Sequence, residues 1–242
     1  MLHMNKKIIG LIGGMGPFAS ARFLNLLLEK SAMCFGAKNG DDFPEIILDS
    51  VPIRDFISDT KSVPVAKRML ISRVKKLDKI GCTRIAMVCN TGHILFPSLN
   101  EASGGRMISI IDTVRNKVVA MGATRVGLLA TKTTINSGLY KGAFSDTGVF
   151  LLNPDPALQN LSERIIRGVI ANKVRHSTMT KLVSQTNRFI RNEKLDAVIL
   201  GCTELPLAFA NTKSEKIIDC LDVLSDKLLE SYFSKNSLTY GG

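Results

Sequence analysis

The sequence predicts an α/β protein built from two pseudo-symmetric, doubly wound parallel-sheet halves, and three observations predict it. First, short runs of Ile, Val and Leu alternate with amphipathic stretches along the 242 residues. Continuous apolar runs mark parallel strands covered on both faces, and their alternation with helical patterns marks βαβ units. Second, Lys79-Ile80-Gly81-Cys82-Thr83-Arg84-Ile85-Ala86 is echoed by Ala120-Met121-Gly122-Ala123-Thr124-Arg125-Val126-Gly127: a helix end, a glycine where a helix stops, then a buried strand. Third, Gly10 and Gly127 lie 117 positions apart and Cys89 and Cys202 lie 113 apart, so a turn and a cysteine recur at nearly one offset. Two similar halves, each with a cysteine just past the carboxyl end of a strand, account for both spacings. In open parallel sheets ligands bind at that edge, so a cleft between the halves would set the two sulfurs on opposite walls.

Taken in order, the apolar run Ile8–Ile12 is a strand that enters the turn Gly13-Gly14-Met15-Gly16-Pro17 and opens a helix over Ala19–Ser31. Glu45–Asp49 is the next strand, and the amphipathic stretch Val63–Ile80 is a helix stopped by Gly81. Arg84–Val88 is a buried strand ending in Cys89-Asn90-Thr91, Met107–Ile110 another, and Asp112–Met121 a helix. The second half opens with strand Arg125–Ala130 and the hydroxyl-rich turn Thr131-Lys132-Thr133-Thr134, followed by helix Asn136–Phe144 and strand Val149–Leu152. Helices Pro156–Ala171 and Thr178–Glu193 lead to strand Asp196–Leu200, which ends in Gly201-Cys202-Thr203-Glu204; a last helix covers Leu221–Tyr232. The resulting division is a first α/β domain of residues 1–110 plus 208–235, a second of 111–207, and an unpacked tail of 236–242.

Apolar residues at 45%, charged residues at 22% and a mean hydropathy of +0.15 exclude an intrinsically disordered chain. The net charge of +11 favours anionic partners. The basic residues, however, are scattered (Lys6-Lys7, Lys75-Lys76, Arg188, Arg191, Lys194), aromatics are 6% and Trp is absent, so no nucleic-acid stripe is expected. No apolar run approaches the roughly 18 residues of a membrane span, and no membrane partner is expected. Five cysteines without a CxxC pair or Cys/His ligand spacing point to reduced thiols in a cytoplasm, with neither disulfide framework nor metal site. A cysteine with a task would then use thiol chemistry.

Cys89 and Cys202 each follow an apolar strand at the start of a helix, where backbone amides lower a thiol's pKa from about 8.5. The alternative is burial for packing, common for free cysteine. Cys34, Cys82 and Cys220 sit in helical or pre-strand contexts and read as packing residues. The Gly13–Pro17 turn either cradles an anion on its amides or is simply a tight turn. It lacks the GxGxxG order and the Walker pattern, so dinucleotide and nucleotide binding are not expected. His93, one helical turn past Cys89, either orients the thiol or caps a helix; His3 is terminal and His176 superficial. Arg54, after Val51-Pro52, either forks onto a carboxylate or is an ordinary surface arginine. Glu204 either orients a neighbour, holds an ammonium group or caps the following helix.

Three blocks, Ile9-Gly10-Leu11-Ile12-Gly13-Gly14-Met15-Gly16-Pro17, Cys89-Asn90-Thr91-Gly92-His93 and Gly201-Cys202-Thr203-Glu204-Leu205, resemble the signature blocks of the aspartate/glutamate racemase superfamily, nearest to its aspartate racemase branch. Glutamate racemases usually carry Asp-Ser after the first strand, where this chain has Gly-Gly-Met. The resemblance implies a cofactor-independent, homodimeric enzyme of two pseudo-symmetric α/β domains, holding a small amino acid in the cleft between them. Its two cysteines map to Cys89 and Cys202, and its arginine for the substrate's side-chain carboxylate to Arg54. A lysine of the family's second domain has three competing counterparts here, Arg167, Ile170 and Lys173.

Racemisation needs two acid/base groups flanking Cα, and a thiolate facing a thiol meets that need without pyridoxal phosphate or metal. The developing charge is to be held by Asn90, Thr91, Thr131, Thr133 and Thr203 around the α-carboxylate. Met15 and Glu204 complete the expected substrate contacts, with His93 in support. The expected reaction is interconversion of L- and D-aspartate or glutamate. The alternatives are a broad-specificity amino-acid racemase, a related cysteine-dependent isomerase or decarboxylase, and a non-catalytic amino-acid-binding protein.

Overall fold

The computed structural model describes residues 7–53, 62–210, 212 and 214–234. Strand β1 (Ile8–Gly13) is buried over five of its six residues and pairs in parallel with β2 (Glu45–Ser50) on one side and β3 (Arg84–Met87) on the other. β3 in turn pairs with β4 (Met107–Ile108), so the sheet order is β2-β1-β3-β4. In the second half β5 (Arg125–Leu129) lies between β6 (Phe150–Leu152) and β7 (Ala197–Leu200), and β8 (Ile217–Asp219) adds to β7, in the order β6-β5-β7-β8. All pairs are parallel, and parallel neighbours require crossovers, which are mostly helices.

Those helices are α1 (Pro17–Phe35), α2 (Val63–Ile80), α3 (Phe96–Ala102) and α4 (Ile110–Ala120) in the first half. The second half adds α5 (Lys132–Asn136), α6 (Leu139–Ala143), α7 (Pro156–Ile170), α8 (His176–Asn192) and α9 (Leu205–Ala208), and α10 (Cys220–Phe233) ends the described fold. Among the described residues no helix is long and apolar enough to cross a membrane.

The spacings seen in the sequence are the registers of the two sheets. Ile9 faces Arg84 in the first sheet and Val126 faces Ala197 in the second, pairs related by the same offsets of 117 and 113 positions. The matched glycines have one cause. A Cβ on Gly10 would stand 2.9 Å from the Cys82 sulfur, and one on Gly127 would stand 2.6 Å from Phe189 and 2.8 Å from Leu195. Cys82 and Leu195 occupy equivalent places before β3 and β7, so in each half a glycine lets the approach to the third strand close over the first. Cys82 is a packing residue, as expected.

Side chains alternate across each strand, so the two faces of each sheet join different cores. The inner faces share one: Ile9, Leu11, Ala86 and Val88 of the first half cluster with Val126, Leu128, Ala197 and Ile199 of the second, around Ile110 and Val114 of α4 and Leu224 and Leu228 of α10. The outer face of the first sheet (Ile12, Ile85, Met87) packs on Leu70, Val74 and Leu77 of α2 and Leu99 of α3. That of the second (Leu129, Val198, Leu200) packs on Leu158 and Ile165 of α7 and Leu182 of α8.

Four details depart from the sequence reading. The strand expected over Met107–Ile110 stops at Ile108, because the Ser109 side chain accepts the Asp112 N–H and starts α4 at Ile110. The helix expected over Asn136–Phe144 shortens to α6, and α5 (Lys132–Asn136) forms instead within the expected turn Thr131–Thr134, the two separated at Gly138 with φ 72°. The short elements α3, α9 and β8 have no counterpart in the sequence reading. Within 208–235, β8 belongs to the second sheet, whereas α10 returns to the first half, where Lys30 of α1 reaches Asp222 (2.7 Å) and Asp226 (2.5 Å).

Candidate active site

Each candidate thiol is the second residue past a central strand. β3 ends at Met87 and Cys89 follows Val88; β7 ends at Leu200 and Cys202 follows Gly201. Both side chains are buried, at 5% exposure. Cys89 Sγ accepts the Gly92 N–H at 3.3 Å, at the start of the 3₁₀ helix Thr91–Leu95. Cys202 donates its S–H to Glu204 Oε2 at 3.0 Å, and the Thr203 hydroxyl donates to the same oxygen at 3.1 Å.

The expectation that helix amides hold these thiols low is overturned. Burial, reinforced by the Glu204 charge, pushes Cys89 up to about 12, against smaller opposing help from the Gly92 and Thr91 amides. Cys202 is raised well above the usual thiol range by burial, by the Glu204 charge and by its hydrogen bond to Glu204. One or two amides do not offset the loss of hydration around a thiolate. Both sulfurs therefore rest as thiols.

Glu204 joins the two halves. It makes no capping bond to α9, and its carboxyl is raised by burial above the ordinary glutamate range. Its Oε1 is buried and finds no hydrogen-bond partner among the described residues. That oxygen stands against Gly16 in the turn before α1, where a Cβ would come within 1.7 Å of it. The turn, which reads in the sequence as either an anion cradle or a tight turn, thus faces the chain's own carboxyl group. Met15, beside it, packs against the outer core of the first half.

Asn90 is held at both ends of its amide: Oδ1 accepts the Tyr140 hydroxyl at 2.6 Å and one N–H of Nδ2 donates to Cys220 Sγ at 3.3 Å. Cys220, which reads as a packing residue in the sequence, is thus also an acceptor, and Tyr140 is absent from the sequence candidates altogether. Thr91 and Thr131 meet across the halves and share Thr134: the three hydroxyls lie 3.2, 2.8 and 2.9 Å apart in a closed ring. Thr133 is half-buried at the start of α5.

His93 is a clip. Ile110 N–H donates to its Nε2 at 3.1 Å, which leaves the proton on Nδ1 to donate to the Cys89 carbonyl at 2.8 Å. Burial pushes its pKa down to about 4, so the ring is neutral and holds the backbone of Cys89 rather than its sulfur. Among the family-lysine alternatives, Arg167 lies 3.8 Å from Glu163 and Ile170 packs against the outer core of the second half. Arg54 and His3 lie outside the described residues. Among the described residues no group of three or more His, Cys, Asp or Glu is placed to hold a metal ion.

Two parallel sheets of the same strand order with a thiol past the third-numbered strand of each define a bilobal α/β scaffold of the racemase type. The chain belongs to the Asp/Glu/Hydantoin racemase family, whose model matches residues 12–227. It is similar to an aspartate racemase homologue from Pyrococcus horikoshii OT3, with a TM-score of 0.79 and 29% identity over 95% of this chain and 100% of that one. It is also similar to the aspartate racemase of Picrophilus torridus, with a TM-score of 0.75 and 29% identity over 93% and 94% of the two chains. Among curated proteins it is 26% identical to the broad specificity amino-acid racemase RacX of Bacillus subtilis (strain 168), over 95% of this chain and 100% of that protein.

Proposed function

We propose that this chain is a cofactor-independent racemase that interconverts L- and D-aspartate or glutamate by carrying a proton across Cα between Cys89 and Cys202. The observation that carries the reading is the matched placement of the two buried thiols, each two residues past a paired strand, with one buried carboxyl sensed by both. Likeness to proteins described as aspartate racemases supports the acidic substrate.

The proton steps follow from the resting state. Glu204 is the base in contact with Cys202, and moving the S–H proton to Oε2 leaves a Cys202 thiolate and a neutral carboxyl, the form burial favours. The thiolate takes the Cα proton from one face, and the electron pair left on carbon is held by groups around the α-carboxylate. Cys89 then donates its S–H proton to the opposite face and is left as thiolate. The Glu204 carboxyl, whose charge Cys89 feels, returns a proton to it and restores the resting protein. The opposite enantiomer runs the steps backwards.

Around the substrate, the second N–H of Asn90 Nδ2 is assigned to the α-carboxylate, with Met15 and Thr133 lining the cleft. Arg54 is assigned to the side-chain carboxylate as a bidentate fork. A broad-specificity racemase is the second reading, favoured by the likeness to RacX over nearly all of both chains.

Incubation with L-aspartate, L-glutamate and neutral amino acids in D2O, followed by NMR, is expected to show deuterium entering Cα of the acidic substrates. Cys89→Ala and Cys202→Ala should each abolish interconversion of the enantiomers, read by chiral chromatography, whereas Cys34→Ala, at an exposed position, should not. Near wild-type interconversion in both directions in Cys202→Ala would overturn the two-thiol mechanism. Arg54→Ala should weaken turnover of acidic substrates at least about 30-fold and of neutral ones far less. Exchange confined to neutral amino acids would favour the broad-specificity reading instead.

A further inference from the structure

Tyr140 lies on α6 in the second half, and its hydroxyl crosses to the first half to donate to Asn90 Oδ1 at 2.6 Å. Its ring lies against Gly201, where a Cβ would stand 3.1 Å from Tyr140 Cε2 and 2.7 Å from Leu128. Asn90 is the residue after Cys89, and Gly201 the residue before Cys202. One side chain therefore touches both thiol-bearing turns, one by a hydrogen bond and the other by close packing. We propose that Tyr140 is a positioning residue that fixes the Asn90 amide and, with it, the placement of the two thiol-bearing turns relative to the substrate. The inference deepens the racemase reading and rests on it.

The chemistry of the amide makes the point specific. A primary amide can flip, exchanging oxygen for nitrogen at little cost when its neighbours do not discriminate. Here they do: the phenol gives a proton to Oδ1, and the Cys220 sulfur takes one from Nδ2 at 3.3 Å. All three side chains are buried, at 1% exposure for Asn90 and Tyr140 and 0% for Cys220. With one N–H spent on Cys220, the other has a single direction left, which is the one assigned to the carboxylate. Burial raises the Tyr140 hydroxyl well above the usual phenol range and keeps it a donor across the working pH range. Neither Tyr140 nor Cys220 is a catalytic residue here; both act through Asn90.

Tyr140→Phe removes only the donor and keeps the ring on Gly201. Measured by Cα deuteration of aspartate or glutamate, it should lower kcat/KM by about 10- to 100-fold, the scale of a displaced substrate contact. In an Asn90→Ala background the same change should cost less than about twofold, because the group it positions is gone. Thermal melting of each variant checks that it is folded. If Tyr140→Phe does not fold, Cys220→Ala runs the same cycle, with the same masking by Asn90→Ala. Unchanged turnover in folded Tyr140→Phe, or equal losses in both backgrounds, would overturn the positioning role and leave the racemase reading standing. Absence of exchange in the wild-type protein would overturn both.

Discussion

Gly16 and Gly14 sit two residues apart and are glycines for different reasons. At Gly14 φ is +90° and a Cβ would stand 2.4 Å from the backbone nitrogen and oxygen of Val51, so both conformation and space demand glycine. At Gly16 φ is −173°, which any residue adopts, and the obstacle is Glu204 Oε1 alone. Gly14→Ala should therefore act on folding, lowering stability by about 2–4 kcal/mol in a denaturant titration. Gly16→Ala should act on the site: it displaces the buried carboxyl that Cys202 and Thr203 hold, and Cα exchange should fall about tenfold or more while the melting temperature changes little. A Gly16→Ala protein with normal exchange would show that the carboxyl can move without consequence.

At the scale of elements, His93 ties the turn after β3 to the first turn of α4, and the tie titrates. Its pKa is pushed down to about 4 from 6.5, so the folded state refuses a proton that the unfolded chain accepts. Stability from this group is whole above pH 6.5 and is lost as pH falls toward 4. Asp219, pushed up to about 6 from 3.8 by burial, works the other way: the folded state takes its proton first, and the penalty of burying its charge lifts as pH falls through 6. The two slopes partly cancel in the wild-type protein, so the test is a difference. Stability of wild type minus that of His93→Gln should shrink by about 2 kcal/mol between about pH 7 and pH 5, since each tenfold difference in proton affinity between the folded and unfolded chain is worth about 1.36 kcal/mol. A pH-independent difference would mean His93 is not the buried neutral clip described.

Elements also show where sequence reasoning runs out. Strands with four or more continuous apolar residues, such as Ala197–Leu200, announce themselves, and so do cysteines standing just past them. β8 has three residues after a loop and gains its place only by pairing with β7. The break between α5 and α6 turns on one left-handed glycine. Local spacing names Cys89, Cys202 and Glu204, but not Tyr140, whose partner Asn90 is 50 positions away. Nor does it foresee that burial outweighs helix amides at the thiols, because burial is a property of the assembled core.

Across the whole molecule, the inner faces of both sheets share one core through α4 and α10, so neither half can open without exposing the other. The two halves should accordingly unfold together. Hydrogen exchange followed in increasing denaturant should give the amides of β3 and β7 the same opening free energy and the same denaturant slope. Distinct slopes would mean two separately folding units. The doubling is nonetheless imperfect where it matters: the Cys202 sulfur is hydrogen-bonded to the Glu204 carboxyl, and the Cys89 sulfur to the Gly92 amide. On the two-thiol reading, the walls of the cleft are unequal toward left- and right-handed substrate. Mirror-image amino acids have equal free energy in water, so the equilibrium ratio is one, and kcat/KM must be the same in both directions however lopsided the walls are. The inequality can surface only inside that quotient: whichever enantiomer has the lower KM must turn over more slowly, by the same factor.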